Sequence, residues 1–239
     1  MSKTIRNRVL YDLKGTIAYI TFDDGKVNAM STEMLKQLHA ALDKAEADGA
    51  LVVLSGRQSV FSAGFDLKTF SQNAESVVEM MRLGAELAER ILSFPKPVVV
   101  ACTGHALAMG AFLLMAADVR IGVVGDYKIA MNEVAIGLTV PYFALEIARQ
   151  RLTPAAFNRS VTTAYLYPPK EAVEAGYLDF LVPEEELAER LVSQANSLAG
   201  IDLKAHKATK LRARNASLLS IRAAIESELT LERAETWRT

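Results

Sequence analysis

The chain has 239 residues, 51% of them hydrophobic and 23% charged, the balance of an ordinary globular protein large enough for one sizeable domain. Its 27 basic and 28 acidic residues give a net charge of −1, and no arginine-rich run or interleaved aromatics point to nucleic acid as a partner. The single cysteine, Cys102, excludes an intrachain disulfide framework and a multi-cysteine zinc site. Residues 1–6 carry no signal-peptide core and no apolar stretch is long enough to span a bilayer, so a cytoplasmic protein is the expectation.

Residues 9–13 and 16–22 read as two strands of a hairpin joined at Lys14-Gly15. Asp23-Asp24-Gly25 ends the second strand. Ser31 then caps a helix whose Met34, Leu35, Leu38, Leu42 and Ala45 share one face. Residues 51–54 form a buried strand. The stretch Val60-Phe61-Ser62-Ala63-Gly64-Phe65-Asp66-Leu67 reads as a loop using Gly64 for a positive φ, or as a bent backbone whose amides face a ligand. Residues 74–92 form an amphipathic helix closed by Pro95-Lys96-Pro97.

Residues 98–101 are continuous apolar and mostly branched, a strand buried on both faces. A turn of small residues follows, and a helix starts near Met109 or Gly110. The first N–H groups of a helix have no partner inside it, so this junction suits a developing oxyanion; it equally suits tight strand–helix packing. Residues 117–124 make a further strand. Residues 131–138 place one acid, Glu133, among apolar neighbours. From Tyr142 the chain is mainly helical (142–152, 154–163, 169–175, 184–198 and 202 to the end), which divides it into a core of residues 1–183 and a helical region of residues 184–239. Lys204, Lys207, Lys210, Arg212 and Arg214 make a solvated face or a patch for a phosphorylated ligand.

Three pieces, residues 61–67, residues 104–118 and Asn132-Glu133 with Gly137 and Pro141, together resemble the crotonase family, the enoyl-CoA hydratase/isomerase superfamily. Lys26-Val27-Asn28-Ala29-Met30 resembles the family's coenzyme A segment. Pro169-Lys170-Glu171-Ala172, Gly176-Tyr177-Leu178-Asp179 and Val182-Pro183 resemble its C-terminal helix–turn stretch. The resemblance implies an α/β spiral of ββα repeats followed by a C-terminal helical oligomerisation region, assembled as a homotrimer or dimer of trimers. It implies an acyl-CoA thioester substrate with no additional cofactor and no metal. The thioester oxygen would sit between the backbone N–H groups of Phe65 and Met109. Lys26, Val27, Gly64, Asp66 and Leu67 would meet coenzyme A, and Phe112, Gly110, Asn132 and Tyr142 would line the acyl pocket.

The family's hydratases carry two glutamates. Here the first position is Phe112 and the second is Glu133, and Tyr142-Phe143-Ala144 replaces a glycine-rich segment, as in the mitochondrial-type Δ3-Δ2-enoyl-CoA isomerases. A lone base suits a 1,3-proton shift better than the addition of water. The alternatives are a hydratase or thioester hydrolase recruiting another acid, Asp126 being nearest, and a non-catalytic acyl-CoA binding protein. A structural reading of Glu133 pairs it with Lys128. His105 either lines the pocket or bonds to backbone, and Asp66 holds its loop in shape. The apolar residues Leu187, Leu191, Val192, Leu198, Leu218, Leu219, Ile221 and Ile225 exceed what one thin core layer needs, which points to subunit contacts.

Overall fold

The structure is a computed structural model and describes residues 7–234. The leader reading of residues 1–6 and the end of the last predicted helix, residues 235–239, lie outside the described residues.

The chain winds in repeating strand–strand–helix units. After β1 (Val9–Lys14), the first unit is β2 (Ile17–Phe22), β3 (Ala29–Met30) and α1 (Thr32–Ala47). The second is β4 (Leu51–Ser55), β5 (Ser59–Ser62), β6 (Gly64–Phe65) and α2 (Ala74–Ser93). The third is β7 (Val98–Cys102), β8 (Gly104–Leu107) and α3 (Met109–Ala116). The fourth is β9 (Val119–Val123), β10 (Ile129–Ala130), a 3-10 turn at Glu133–Ile136 and α4 (Tyr142–Arg151). Then come α5 (Pro154–Thr163), α6 (Pro169–Ala175), β11 (Phe180–Val182), α7 (Leu187–Ala199) and α8 (Leu203–Glu228).

Each unit gives one strand to a main sheet of order β1-β2-β4-β7-β9-β11, parallel except for the β1–β2 hairpin. The shorter strands form two smaller parallel sheets, β10-β8-β5 and β3-β6. The central strand β7 is buried on both faces, as its unbroken apolar run requires. Val98, Val100 and Cys102 join the core under α1, α2 and α3; Val99 and Ala101 face a second cluster with Leu191 and Ala195 of α7.

Helix starts follow local chemistry. The Ser31 hydroxyl accepts from the Met34 N–H at the start of α1, and the Asn73 side chain does the same for the Ser76 N–H at α2. Six short strands escape a local reading: β3, β5, β6, β8, β10 and β11, of which β5 and β6 overlap the stretch of residues 60–67 expected as a loop. Residues 104–107, expected as a turn, form β8, because its neighbours β5 and β10 supply hydrogen bonds that small residues do not announce. The three residues of β11 interrupt the helical C-terminal half and close the sheet beside β9. The Asp179 carboxylate holds them there by accepting from the Arg120 backbone N–H (2.8 Å) and from its guanidinium Nε (2.9 Å).

One expectation for the tail is narrowed and another is corrected. Leu191, Leu218, Ile221 and Ile225 are buried within the chain itself, while Val192 and Leu219 are 46% and 58% exposed. Most of the apolar surplus therefore covers the core. Lys210 and Arg214 are not part of a solvated face. They are buried and bind Asp118 at 2.6 and 2.9 Å, while Lys204, Lys207 and Arg212 remain exposed. Asp118 also accepts from the Val98 N–H (2.8 Å), and Arg214 donates to the Leu92 carbonyl (2.8 Å), so this cluster ties α8 to the entry of β7 and the end of α2. Among the described residues no helix is long and apolar enough to cross a membrane.

Removing one partner of a buried charge pair leaves the other charge desolvated and unpaired, which costs about 3–5 kcal/mol. Asp118→Asn is therefore expected to lower unfolding free energy in urea by that order. Asp12→Asn, in an exposed pair with Lys14, should change it by less than about 1 kcal/mol.

Candidate active site

Three segments that are distant in sequence wall one apolar cavity. Ala63, Phe65 and Leu67 come from β6 and its flanks, and Leu107, Ala108 and Phe112 from the β8–α3 junction. Asn132, Glu133 and Ile136 come from the 3-10 turn and its start. Phe70, Met81, Leu138, Thr139 and Pro141 complete the lining.

The first two segments meet at Gly64. Its φ of +92° is one that side chains rarely tolerate, and a Cβ there would lie 2.8 Å from the Ala108 Cβ and 3.5 Å from the Met109 nitrogen. Ala63 N–H donates to the Val27 carbonyl (3.0 Å), Gly64 N–H to the Ser62 hydroxyl (3.1 Å) and Asp66 N–H to the Met30 carbonyl (3.3 Å).

Met109 is the first residue of α3, where an N–H has no acceptor within the helix. The preceding Ala108 adopts φ +47° and ψ −118°, a strained conformation for alanine that is held by its N–H donating to the Ala130 carbonyl (2.9 Å). Phe65 lines the cavity, and Met109 follows Ala108, which lines it too. The strain at Ala108 was not legible in the sequence, where alanine reads as an ordinary small residue.

Glu133 opens the 3-10 turn, which ends at Gly137 in the left-handed region, with Leu138 N–H donating to the Glu133 carbonyl (3.0 Å). The side chain is 5% exposed, and its Oε2 is buried without a hydrogen-bond partner. Burial pushes the carboxyl up to about 7, against a small opposing pull from its own backbone N–H. The expected structural pairing with Lys128 does not form. Lys128 lies 3.7 Å from Asp126, whose side chain is fully exposed and does not line the cavity. Among the described residues that line the cavity, Glu133 is the one ionisable side chain. Phe112 is wholly buried and meets Phe143 edge-to-face at 5.8 Å.

Apart from Leu67, the remaining expected site residues fall outside the cavity wall. Gly110 lies against β5: a Cβ there would be 2.8 Å from the Ser62 carbonyl oxygen, so its role is close packing of helix on strand. Tyr142 is 62% exposed at the start of α4. Its N–H donates to Glu228 (2.8 Å), and Pro141 takes its place in the lining. Lys26 and Val27 sit exposed in the turn before β3, where the Lys26 carbonyl accepts from Arg57 (2.8 Å). Asp66 accepts from the Lys68 N–H (3.1 Å) and shapes its loop, and Leu67 is 58% exposed at the cavity edge. His105 accepts from the Lys128 backbone N–H (3.1 Å) and is a packing residue.

Asn28, expected only as part of the coenzyme A segment, is wholly buried at φ +51°. Its amide donates to the carbonyls of Phe22, Val60 and Phe61, clasping the Lys26 turn to the strand that leads into the cavity.

Comparison with known proteins identifies the family. The family model described as enoyl-CoA hydratase/isomerase matches residues 12–236. A solved enoyl-CoA hydratase/isomerase family protein from Pseudomonas syringae is 44% identical, with a TM-score of 0.92 over 95% of this chain and 98% of that one. Rat mitochondrial enoyl-CoA delta isomerase 1 is 29% identical over 187 residues, 75% of this chain and 65% of its own length. A Bacillus subtilis protein named "Probable enoyl-CoA hydratase" is 37% identical over 133 residues, 54% of this chain and 50% of its own length. The chain thus spans about half to two thirds of these two relatives. On the match across residues 12–236, the chain belongs to the enoyl-CoA hydratase/isomerase family, the crotonase superfamily.

Proposed function

We propose that the chain is a Δ3-Δ2-enoyl-CoA isomerase in which Glu133 alone carries the proton. The observation behind this reading is that one carboxylate, unpaired and raised toward neutrality, is the only ionisable side chain among the described residues lining the cavity. Glu133 takes a proton from C2 of a 3-enoyl thioester, and the electron pair of the broken C–H bond delocalises onto the thioester oxygen. The N–H groups of Phe65 and Met109 hold that dienolate. The electrons then return through C2=C3 while C4 takes the proton back from Glu133, leaving a 2-enoyl thioester. A carboxyl poised near 7 suits both directions of transfer at neutral pH.

Addition of water needs a second group to hold and activate it. Phe112, at the position of the hydratases' first glutamate, offers none, and its contact with Phe143 keeps that wall dry. Asp126, exposed and paired with Lys128, is not placed to help. Hydration remains the second reading because the buried Asn132 Oδ1 also has no partner, and Asn132 lines the cavity, where it could hold a water.

In this proposal Lys26, Val27, Gly64, Asp66 and Leu67 form the coenzyme A side, and no further cofactor takes part. The enzyme works in the cytoplasm as a homotrimer or dimer of trimers, with exposed Val192 and Leu219 available to a neighbouring subunit.

Purified protein should convert 3-enoyl-CoA to 2-enoyl-CoA and hydrate 2-enoyl-CoA poorly. Glu133→Gln keeps the shape of the side chain but cannot accept the proton, so isomerisation should fall by about 10²–10⁴ while acyl-CoA affinity changes little. Near-normal turnover by the folded variant would remove Glu133 from the mechanism. Efficient hydration by the unmodified protein would favour the second reading.

The same group sets a pH dependence of stability. The folded-state value of about 7 lies above the ordinary 4.5, so between these values the folded state holds a proton that the unfolded chain has lost. Stability contributed by this site is fully present below pH 4.5 and is lost as pH rises through 7, by about 3 kcal/mol at most. Glu133→Gln should therefore be more stable than the unmodified protein at about pH 8 and equal to it near pH 4, as read by urea unfolding at both pH values.

A further inference from the structure

The long helix α2 carries a buried glycine near its middle, Gly84, where alanine would favour the helix. Packing accounts for it. A Cβ at Gly84 would lie 2.5 and 2.6 Å from Cε1 and Cζ of Phe65, and 3.2 Å from the Met109 Sδ. The tip of the Phe65 ring therefore sits in the notch that the missing side chain leaves in α2. Phe65 also lines the cavity, as does Met81, which shares a face of α2 with Gly84 one turn earlier. The notch thus lies behind the cavity wall, and what fills it decides where that wall stands.

The Phe65 backbone has little freedom to adjust. It is paired with Met30 in the β3–β6 ladder, and the neighbouring Gly64 is packed closely on Ala108. Only the ring can move, by turning about its side-chain bonds. Phe65 packs against the main core, which is closely filled, so the space open to a displaced ring is the cavity itself. That cavity has a buried end at Met81 and Phe112 and an exposed edge at Leu67, Ile136 and Thr139. Apart from Asn132, Glu133 and Thr139, the described residues lining it are apolar. Its volume is about 230 Å³. A dry apolar cavity of about 150 Å³ takes one benzene ring, so a space of this size takes a chain of roughly nine carbons.

We propose that Gly84 is a specificity-determining residue: by taking the tip of the Phe65 ring into α2 it sets the depth of the cavity, which then accepts a straight, apolar acyl chain of about eight to ten carbons. The inference rests on the reading that the cavity takes the acyl part of a coenzyme A thioester, and not on which reaction follows. A side chain at residue 84 would push the ring into the cavity and shorten the chain that fits. A smaller side chain at residue 65 would lengthen it.

Calorimetric titration with saturated butyryl-, hexanoyl-, octanoyl-, decanoyl- and lauroyl-CoA reads binding without turnover. Each methylene that enters the cavity should add about fourfold in affinity, so affinity should climb to octanoyl- or decanoyl-CoA and then level off. Gly84→Ala should weaken decanoyl-CoA by about four- to fifteenfold, the worth of roughly one to two methylenes, and leave butyryl-CoA within about twofold. A substitution that only disturbed the packing of α2 would weaken every chain length alike. Adding Phe65→Leu to Gly84→Ala removes the ring that alanine displaces, and should restore the affinity for decanoyl-CoA relative to butyryl-CoA. Should Gly84→Ala fail to fold, Phe65→Leu alone decides: lauroyl-CoA should then bind more tightly than decanoyl-CoA, and a levelling point left in place overturns the inference. It is also overturned by folded Gly84→Ala with an unchanged ratio of decanoyl- to butyryl-CoA affinity, by equal weakening at all lengths, by a failure of the rescue, or by affinity that still climbs at lauroyl-CoA in the unmodified protein. If the binding profile shifts as expected but 3-enoyl-CoA is not isomerised, the reading of the reaction fails and the role of Gly84 stands.

Discussion

A carboxyl group that is almost wholly buried, with no cation beside it and one oxygen without a donor, is an unfavourable thing to fold around. Among the described residues Glu133 is in that position, and its surroundings keep it there. The 3-10 turn fixes its backbone through the Leu138 N–H and the left-handed Gly137, while Phe112, Ile136 and Leu138 deny it solvent. The group responds by holding its proton to higher pH. In the proposed mechanism, desolvation that would only be a cost in a structural residue sets the strength of the base.

The molecule treats its other buried charges in the opposite way. Asp118 binds both Lys210 and Arg214, and Arg120 binds Asp179; each pair joins a C-terminal segment to the main sheet. Arg151 donates to the carbonyls of Met115 and Ala117 at the end of α3. These contacts give partners to the charges they bury and make α8 and β11 part of the body that holds the cavity. The contrast is informative on physical grounds. Where a charge serves the fold it is given a partner, and where it is unpaired in a cleft it marks a site for chemistry.

Backbone geometry does the rest of the positioning. The approach of β6 to the first residue of α3 has room only for a hydrogen at Gly64, and Ala108 accepts an uncomfortable conformation to start the helix at that point. Both segments adjoin the ends of short strands in separate small sheets, so Phe65 and Ala108, far apart in sequence, come to line one cavity. Asn28 clasps the carbonyls of Phe22, Val60 and Phe61 beside them.

Much of this was decided by the order of residues alone. The unbroken apolar run at Val98–Cys102 could only be a strand covered on both sides. Ser31 marked a helix start, and the lone acid at Glu133 among apolar neighbours stood out because charge and hydrophobicity are local properties. Strands β8 and β11 were not legible, since short segments with weak propensity are strands only when distant neighbours supply their hydrogen bonds. The burial of Lys210 and Arg214 was hidden for a related reason: a basic helix looks solvated until an acid from far earlier in the chain, Asp118, is brought against it. Tyr142 was expected inward and faces out. Which residue types the site contains is written in the sequence. Which of them face one another depends on contacts between segments far apart along the chain, and only the folded structure forms those contacts.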